Sequence, residues 1–285
     1  MIGHPNTSDE VLYRILYIQP DELESYRVFA RERLGFEFKD ISLLVTALTH
    51  RSFVNEHRRK SDPIEHNERL EYLGDAVLEM VTSDFLIRNY DEPEGIMTGW
   101  RSAMVCTDSN AESGYELGYP PLVRLSKGES HGTARGRKSI IADCYEALIG
   151  AIYIDQGYQA AKKFIDKWTT TKMPKIIEEE SWRDPKSVVQ EYAQRYDDGH
   201  TPVYRVLHEV GPDHERIFTI GCFIMGHMLG VGTGLSKQDA QADAARQAIR
   251  YYRERIALEE ESKTRIAESS KKAAASAARL GHHII

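Results

Sequence analysis

Apolar residues recur at helical spacing through most of the chain and give way to strand-like runs late. Leu12, Ile15 and Leu16 make a short stripe broken at Pro20. A helix is predicted from Asp21 to Leu34, ending at Gly35, and another over residues 40–55 through Leu43, Leu44, Ala47 and Leu48. Residues 56–66 are charged and interrupted by Pro63, so they read as a loop. From Asn67 to Tyr90, Leu70, Leu73, Val77, Met80, Val81 and Phe85 define a long helix that Asp91-Glu92-Pro93-Glu94-Gly95 breaks. A helix from Thr98 to Leu117 runs into Gly118-Tyr119-Pro120-Pro121. Residues 126–138 form a Gly-rich basic loop, and helices follow at 139–155 and 158–171.

The pattern changes after Met173. Residues 174–184 read as a linker or a helix tail. Asp184 before Pro185 is a well-formed helix start. Three runs suit strands: Val203–Val210, Ile217–Met225 and His227–Gly234. Lys237–Arg253 is Ala-rich and helical, and Glu254–Ile285 reads as a frayed helix or disorder. The predicted architecture is multi-domain: an all-α domain followed by a small α+β module of order α-β-β-β-α.

The 285 residues suffice for about two domains. No apolar run approaches the roughly 18 residues that span a bilayer, so no membrane association is expected. The polar start, Met1 to Glu10, lacks a signal peptide's basic and apolar regions, which points to a cytoplasmic protein. Cys106, Cys144 and Cys222 show neither metal-ligand spacing nor a disulfide framework and are expected to be small buried residues. His282-His283 is adjacent rather than helically spaced and carries little weight as a metal site. The net charge of −7 argues against nucleic acid as a partner if taken alone. A whole-chain sum hides local patches, however, and carboxylates that bind a cation push it negative.

Two acidic clusters bear on that point. In Asn67-Glu68-Arg69-Leu70-Glu71-Tyr72-Leu73-Gly74-Asp75, Glu71 and Asp75 are spaced i, i+4. In Ile141-Ala142-Asp143-Cys144-Tyr145-Glu146, Asp143 and Glu146 are spaced i, i+3. Each spacing puts both carboxylates on one face of a helix. Two such pairs could meet around a divalent metal over a phosphodiester. The alternative is that they are salt-bridging surface acids, the usual fate of Asp and Glu. The flanking apolar residues, which would bury those faces, weigh against it.

The first cluster, extended to His66–Leu78, closely resembles the signature of the ribonuclease III family. The second, Ser139–Gly150, is similar to the family's other catalytic segment. Leu48-Thr49-His50-Arg51-Ser52, Arg101–Val105 and Leu125-Ser126-Lys127-Gly128-Glu129 match further landmarks in order and spacing over about 26–171. The resemblance implies that Glu71, Asp143 and Glu146 bind Mg²⁺ (Mn²⁺ as a possible substitute), with Asp75 acting through a metal-bound water and Asp75 and Glu146 as catalytic residues. Phosphodiester hydrolysis at neutral pH needs an activated water and neutralisation of charge on the phosphoryl and leaving oxygens, which Mg²⁺ supplies. Glu68 and Glu79 read as supporting or salt-bridging acids, and Glu94 as either an RNA-proximal acid or a plain loop acid. Tyr72 matches an aromatic that enters a pocket of a second subunit, implying a homodimer; a core aromatic is the alternative.

Residues 183–252 resemble a double-stranded RNA-binding domain through Asp184–Tyr192, Gly211-Pro212-Asp213-His214, and Gly232–Lys237 followed by Ala240, Ala244 and Ala245. The resemblance implies that Gln190, Glu191 and His214 face minor grooves and Lys237 faces phosphates. For His214 a turn-capping role is the alternative. The family carries two or three basic residues where Lys237 is followed here by Gln238 and Asp239, so the phosphate clamp is weak. Arg135, Arg137 and Lys138 could share the load, or form a solvated turn. The implied organisation is an N-terminal extension 1–25, an endonuclease domain 26–157, a helix and linker 158–182, the RNA-binding domain 183–252 and a tail 253–285. The implied activity is Mg²⁺-dependent cleavage of double-stranded RNA to 5′-phosphate and 3′-hydroxyl ends with short 3′ overhangs, in processing of rRNA precursors and some mRNAs and tRNAs. A catalytically silent RNA-binding protein and a hydrolase of small nucleotides are the competing classes. Retention of all four carboxylates disfavours the first and the binding module disfavours the second.

Overall fold

The computed structural model describes residues 3–4, 7–57, 64–180, 182–212 and 216–280, without the side chains of 266–280. The chain divides into two compact units, Met1–Trp182 and Arg183–Ile285. In the first, the described elements are α1 (Asp9–Ile15), α2 (Pro20–Phe29), α3 (Ile41–Ala47), α4 (Arg51–His57), α5 (Glu68–Asn89), α6 (Glu94–Val105), α7 (Thr107–Leu117), α8 (Lys127–Ser130), α9 (Ala134–Gln156), α10 (Tyr158–Trp168) and α11 (Met173–Glu179). In the second they are α12 (Pro185–Tyr196), β1 (Val203–Val210), β2 (Ile217–Ile224), β3 (His227–Gly234) and α13 (Lys237–Leu280).

The first unit is built around α5 and α9. Val77, Leu78 and Val81 of α5 and Ile141, Tyr145, Leu148, Ile149 and Ile152 of α9 share one buried core. The two helices touch backbone to backbone. A Cβ on Gly74 would overlap the Glu146 carbonyl oxygen, and one on Gly150 would overlap that of Leu70. Glycine at both positions therefore permits an approach that a side chain would block.

Several expected boundaries are corrected by long-range hydrogen bonds. The helix expected over 40–55 is two, α3 and α4. At the break Arg124 N–H donates to the Leu48 carbonyl (2.8 Å), His50 N–H to that of Arg124 (3.1 Å) and Asn67 N–H to that of Thr49 (2.9 Å). The helix expected from Thr98 to Leu117 breaks at Cys106, whose ψ of 158° is extended. Asn110 Nδ2 donates to the Val105 carbonyl there (3.1 Å) and closes the end of α6. The basic loop expected at 126–138 is largely helical. Thr133 Oγ1 accepts from Gly136 N–H (3.1 Å), so α9 starts at Ala134 and carries Arg135, Arg137 and Lys138 in its first turns. Cys106 is exposed rather than buried, because the break turns it outward; Cys144 and Cys222 are buried as expected.

The second unit is an antiparallel sheet of order β1-β2-β3 with α12 and α13 packed on it. Asp184 caps α12 by accepting from Ser187 N–H (2.8 Å), as its position before Pro185 predicts. Register aligns Tyr204 with Cys222 and Cys222 with Gly230. Gly230, Gly232 and Gly234 of β3 lie against the backbone of α13 around Ala240, Ala244 and Ala248, so a Cβ at any of them would meet main chain. Small residues on both sides let the helix lie directly on the strand. Of the two readings of the tail, the helical one holds: α13 runs unbroken to Leu280.

Candidate active site

The α5–α9 crossing positions the acids. Gly74 sits between Glu71 and Asp75 and meets α9 at Glu146, so contact at the glycine aims both carboxylate pairs into one region. Glu71, Asp143 and Glu146 are half-buried and Asp75 is exposed. Burial pushes the Glu146 carboxyl up to about 8, reinforced by repulsion from Asp75, Glu71 and Asp143. Burial likewise raises Glu71 to about 7, with Asp143, Glu68 and Asp75 adding to it. Asp143 is raised by burial and by Glu68. Each pair feels the other, as carboxylates sharing one site must.

Asn110, which motif reading missed, is the neutral partner of this cluster. It is buried, and its Nδ2 donates to Glu146 Oε1 (2.9 Å) as well as to the Val105 carbonyl. The bond opposes the upward shift of Glu146 and fixes its carboxylate. The only signal in the sequence is a polar residue at a buried phase of a helix. Glu68 is ion-paired with Arg51 (3.3 Å) and Glu79 with Arg101 (2.7 Å), in keeping with supporting roles. Glu94 lies exposed in the first turn of α6, accepting from Thr98 Oγ1 (2.9 Å).

The donor set suits a hard divalent cation. Glu71, Asp143 and Glu146, whose proton affinity is raised, could bind Mg²⁺ or Mn²⁺ in place of protons. Glu71, Asp143 and Glu146 lie half-buried, and Asp75 nearer solvent. Among the described residues no three His, Cys, Asp or Glu side chains are already gathered into a metal-binding group.

Tyr72 is 83% exposed on α5, which rules out the core-aromatic alternative. Met80 and Ile87, also exposed, lie on the same face of that helix, so Tyr72 heads an apolar stripe beside the carboxylate row.

In the second unit Gln190 is half-buried and Glu191 exposed on α12, the latter gripped by Arg183 Nη2 (2.5 and 2.6 Å). Lys237 opens α13, with Ser236 Oγ accepting from Asp239 N–H (3.0 Å). His214 lies outside the described residues, as does His282-His283. Of the basic residues at the start of α9, Lys138 pairs with Asp108 (2.6 Å) and Arg137 donates to the Ser130 carbonyl (3.1 Å).

Comparison with known proteins matches residues 40–173 to the family described as Ribonuclease-III-like and residues 185–252 to the double-stranded RNA binding motif. Ribonuclease 3 of Protochlamydia amoebophila is 44% identical over 241 residues, 84% of this chain and 98% of the relative. Ribonuclease 3 of Bacillus licheniformis is 43% identical over 230 residues, 79% of this chain and 89% of the relative. The nuclease domain of ribonuclease III from Campylobacter jejuni superposes with a TM-score of 0.45 at 35% identity, covering 51% of this chain and 97% of that one.

Proposed function

The chain belongs to the ribonuclease III family and is an endonuclease of double-stranded RNA, and from that premise we propose that Glu71, Asp75, Asp143 and Glu146 form its hydrolytic centre, with Mg²⁺ as the metal. The observation that carries this reading is the glycine-mediated crossing of α5 and α9, which brings the two carboxylate pairs into mutual electrostatic reach. When bound, Mg²⁺ lowers the pKa of water and neutralises charge on the phosphoryl and leaving oxygens.

The protein's own part is to hold the oxygens that receive the metal. Glu71, Asp143 and Glu146 bind it directly, and Asp75 orients a water at the exposed edge of the site. Asn110 keeps Glu146 turned inward and favours its ionised form. The second unit holds the substrate. Gln190 and Glu191 of α12 face a minor groove, together with His214, and Lys237 faces the phosphates. Recognition is then of A-form shape more than of sequence.

Two copies act together. The exposed stripe of Tyr72, Met80 and Ile87 on α5 is the surface at which a second copy docks, supported by its apolar character beside the site. Each copy hydrolyses one strand, leaving 5′-phosphate and 3′-hydroxyl ends with a short 3′ overhang. The substrates this organisation fits are structured rRNA precursors and some mRNAs and tRNAs in the cytoplasm. Among the described residues no helix is long and apolar enough to cross a membrane.

The test is incubation of an end-labelled RNA duplex with the full chain, with and without Mg²⁺, mapping both strands. Metal-dependent cuts with staggered ends are expected. Cleavage that persists in chelator, or that favours single-stranded RNA, would refute the reading.

A further inference from the structure

In the second unit one carboxylate is shared by two cations from different elements. Glu209, near the end of β1, lies 3.4 Å from Lys237 Nζ at the first position of α13. It also lies 3.5 Å from Arg216, which precedes β2. The sheet register sets this up. Glu209 stands opposite Phe218 on β2, and Lys237 Nζ lies over the Phe218 ring, 5.5 Å from its centroid. Lys237 is the one Lys or Arg between Leu235 and Ala245, since Gln238 and Asp239 follow it. Whatever neutralises Lys237 therefore neutralises the basic side chain of that helix start.

We propose that Glu209 competes internally with RNA phosphate for Lys237 and Arg216, and so sets how tightly, and with what salt dependence, this chain holds a duplex. The inference rests on the reading above that the start of α13 faces phosphates. A carboxylate and a phosphate present similar anionic oxygens to an ammonium or a guanidinium. A phosphate must displace Glu209 to reach the two cations. The displaced carboxylate then stays within a Debye length of the incoming anion and repels it. Exposed ion pairs are individually weak, so a duplex can open this one, at a cost in affinity. Such a unit grips weakly alone, and a substrate long enough to engage two copies gains disproportionately.

The experiment titrates a fluorescently labelled RNA duplex with the full chain by anisotropy, without divalent cation, at several salt concentrations. Wild type is compared with Glu209→Gln, Lys237→Gln and the double variant, each checked for an unchanged melting transition. Glu209→Gln is expected to bind about three- to ten-fold more tightly at low salt and to steepen the slope of log K against log salt by up to about one. Lys237→Gln is expected to weaken binding and to remove most of the gain from Glu209→Gln in the double variant. If Lys237→Gln weakens binding but Glu209→Gln leaves affinity and slope unchanged, the competition is refuted and the placement of RNA at α13 stands. If Lys237→Gln binds as well as wild type, that placement itself fails, and the inference falls with it.

Discussion

Glu146 concentrates the chemistry of the site at the scale of single residues. Its ordinary carboxyl value is 4.5, and in the folded protein without metal it lies at about 8. Below pH 4.5 folded and unfolded chains both hold this proton, so the group costs no stability there. Between 4.5 and 8 the unfolded chain releases it more readily, so stability falls as pH rises through that window and levels off above it. Glu146→Gln removes this penalty and keeps an acceptor for Asn110. Thermal melts in chelator should place the variant about 2 °C or more above wild type at pH 8 and level with it at pH 4.5. A variant melting no higher at pH 8 would mean that the carboxylate is not held under repulsion. Asn110→Ala should leave duplex affinity intact and weaken Mn²⁺ binding, followed by electron paramagnetic resonance, by about 10- to 100-fold. Unchanged Mn²⁺ binding would reduce Asn110 to a helix cap. That the two acidic pairs interact could be expected from the sequence, because their motifs are dense and specific. Asn110 was not, since nothing in a sequence ties it to a carboxylate 36 residues away.

At the scale of elements, local pattern read well wherever local forces decide. Helix α5, the three strand positions and the Asp184 cap all follow from periodicity, turn residues and capping chemistry. The breaks at Leu48–His50 and Cys106 did not, because their causes are distant: the Arg124 backbone in one case and the Asn110 side chain in the other. The reach of α13 to Leu280 was left open because the tail has few apolar residues to announce a buried face. What brings the two acidic motifs together is the Gly74–Gly150 contact, and glycine in a helix reads from sequence only as a mild defect. Gly150→Ala should destabilise the first unit by about 3 kcal/mol, measured by denaturant unfolding, since the added methyl meets backbone rather than a yielding side chain. Stability equal to wild type would show that the two helices do not meet so closely.

For the whole molecule, the organisation divides cleavage from capture, with hydrolysis in the first unit and RNA binding in the second. All four motif carboxylates are present, whereas Lys237 at the start of α13 is already paired with Glu209 and is followed by Gln238 and Asp239. Doubling the molecule compensates, because two modules on one duplex raise avidity without new contacts. Tyr72→Arg should therefore shift the chain toward monomer in sedimentation velocity and slow two-strand cleavage. A variant that sediments as wild type would remove Tyr72 from the interface.

The central claim is that α5 and α9 contribute to a single hydrolytic centre. It is tested most directly by single-turnover cleavage of a saturating RNA duplex by wild type, Glu71→Gln, Glu146→Gln and the double variant. Residues acting as one unit are strongly non-additive. Each single change should then lower the rate by about a thousand-fold or more with binding retained, and the double variant should be scarcely slower than the slower single one. Losses that multiply, or a single variant that cleaves at the wild-type rate, would contradict a shared centre.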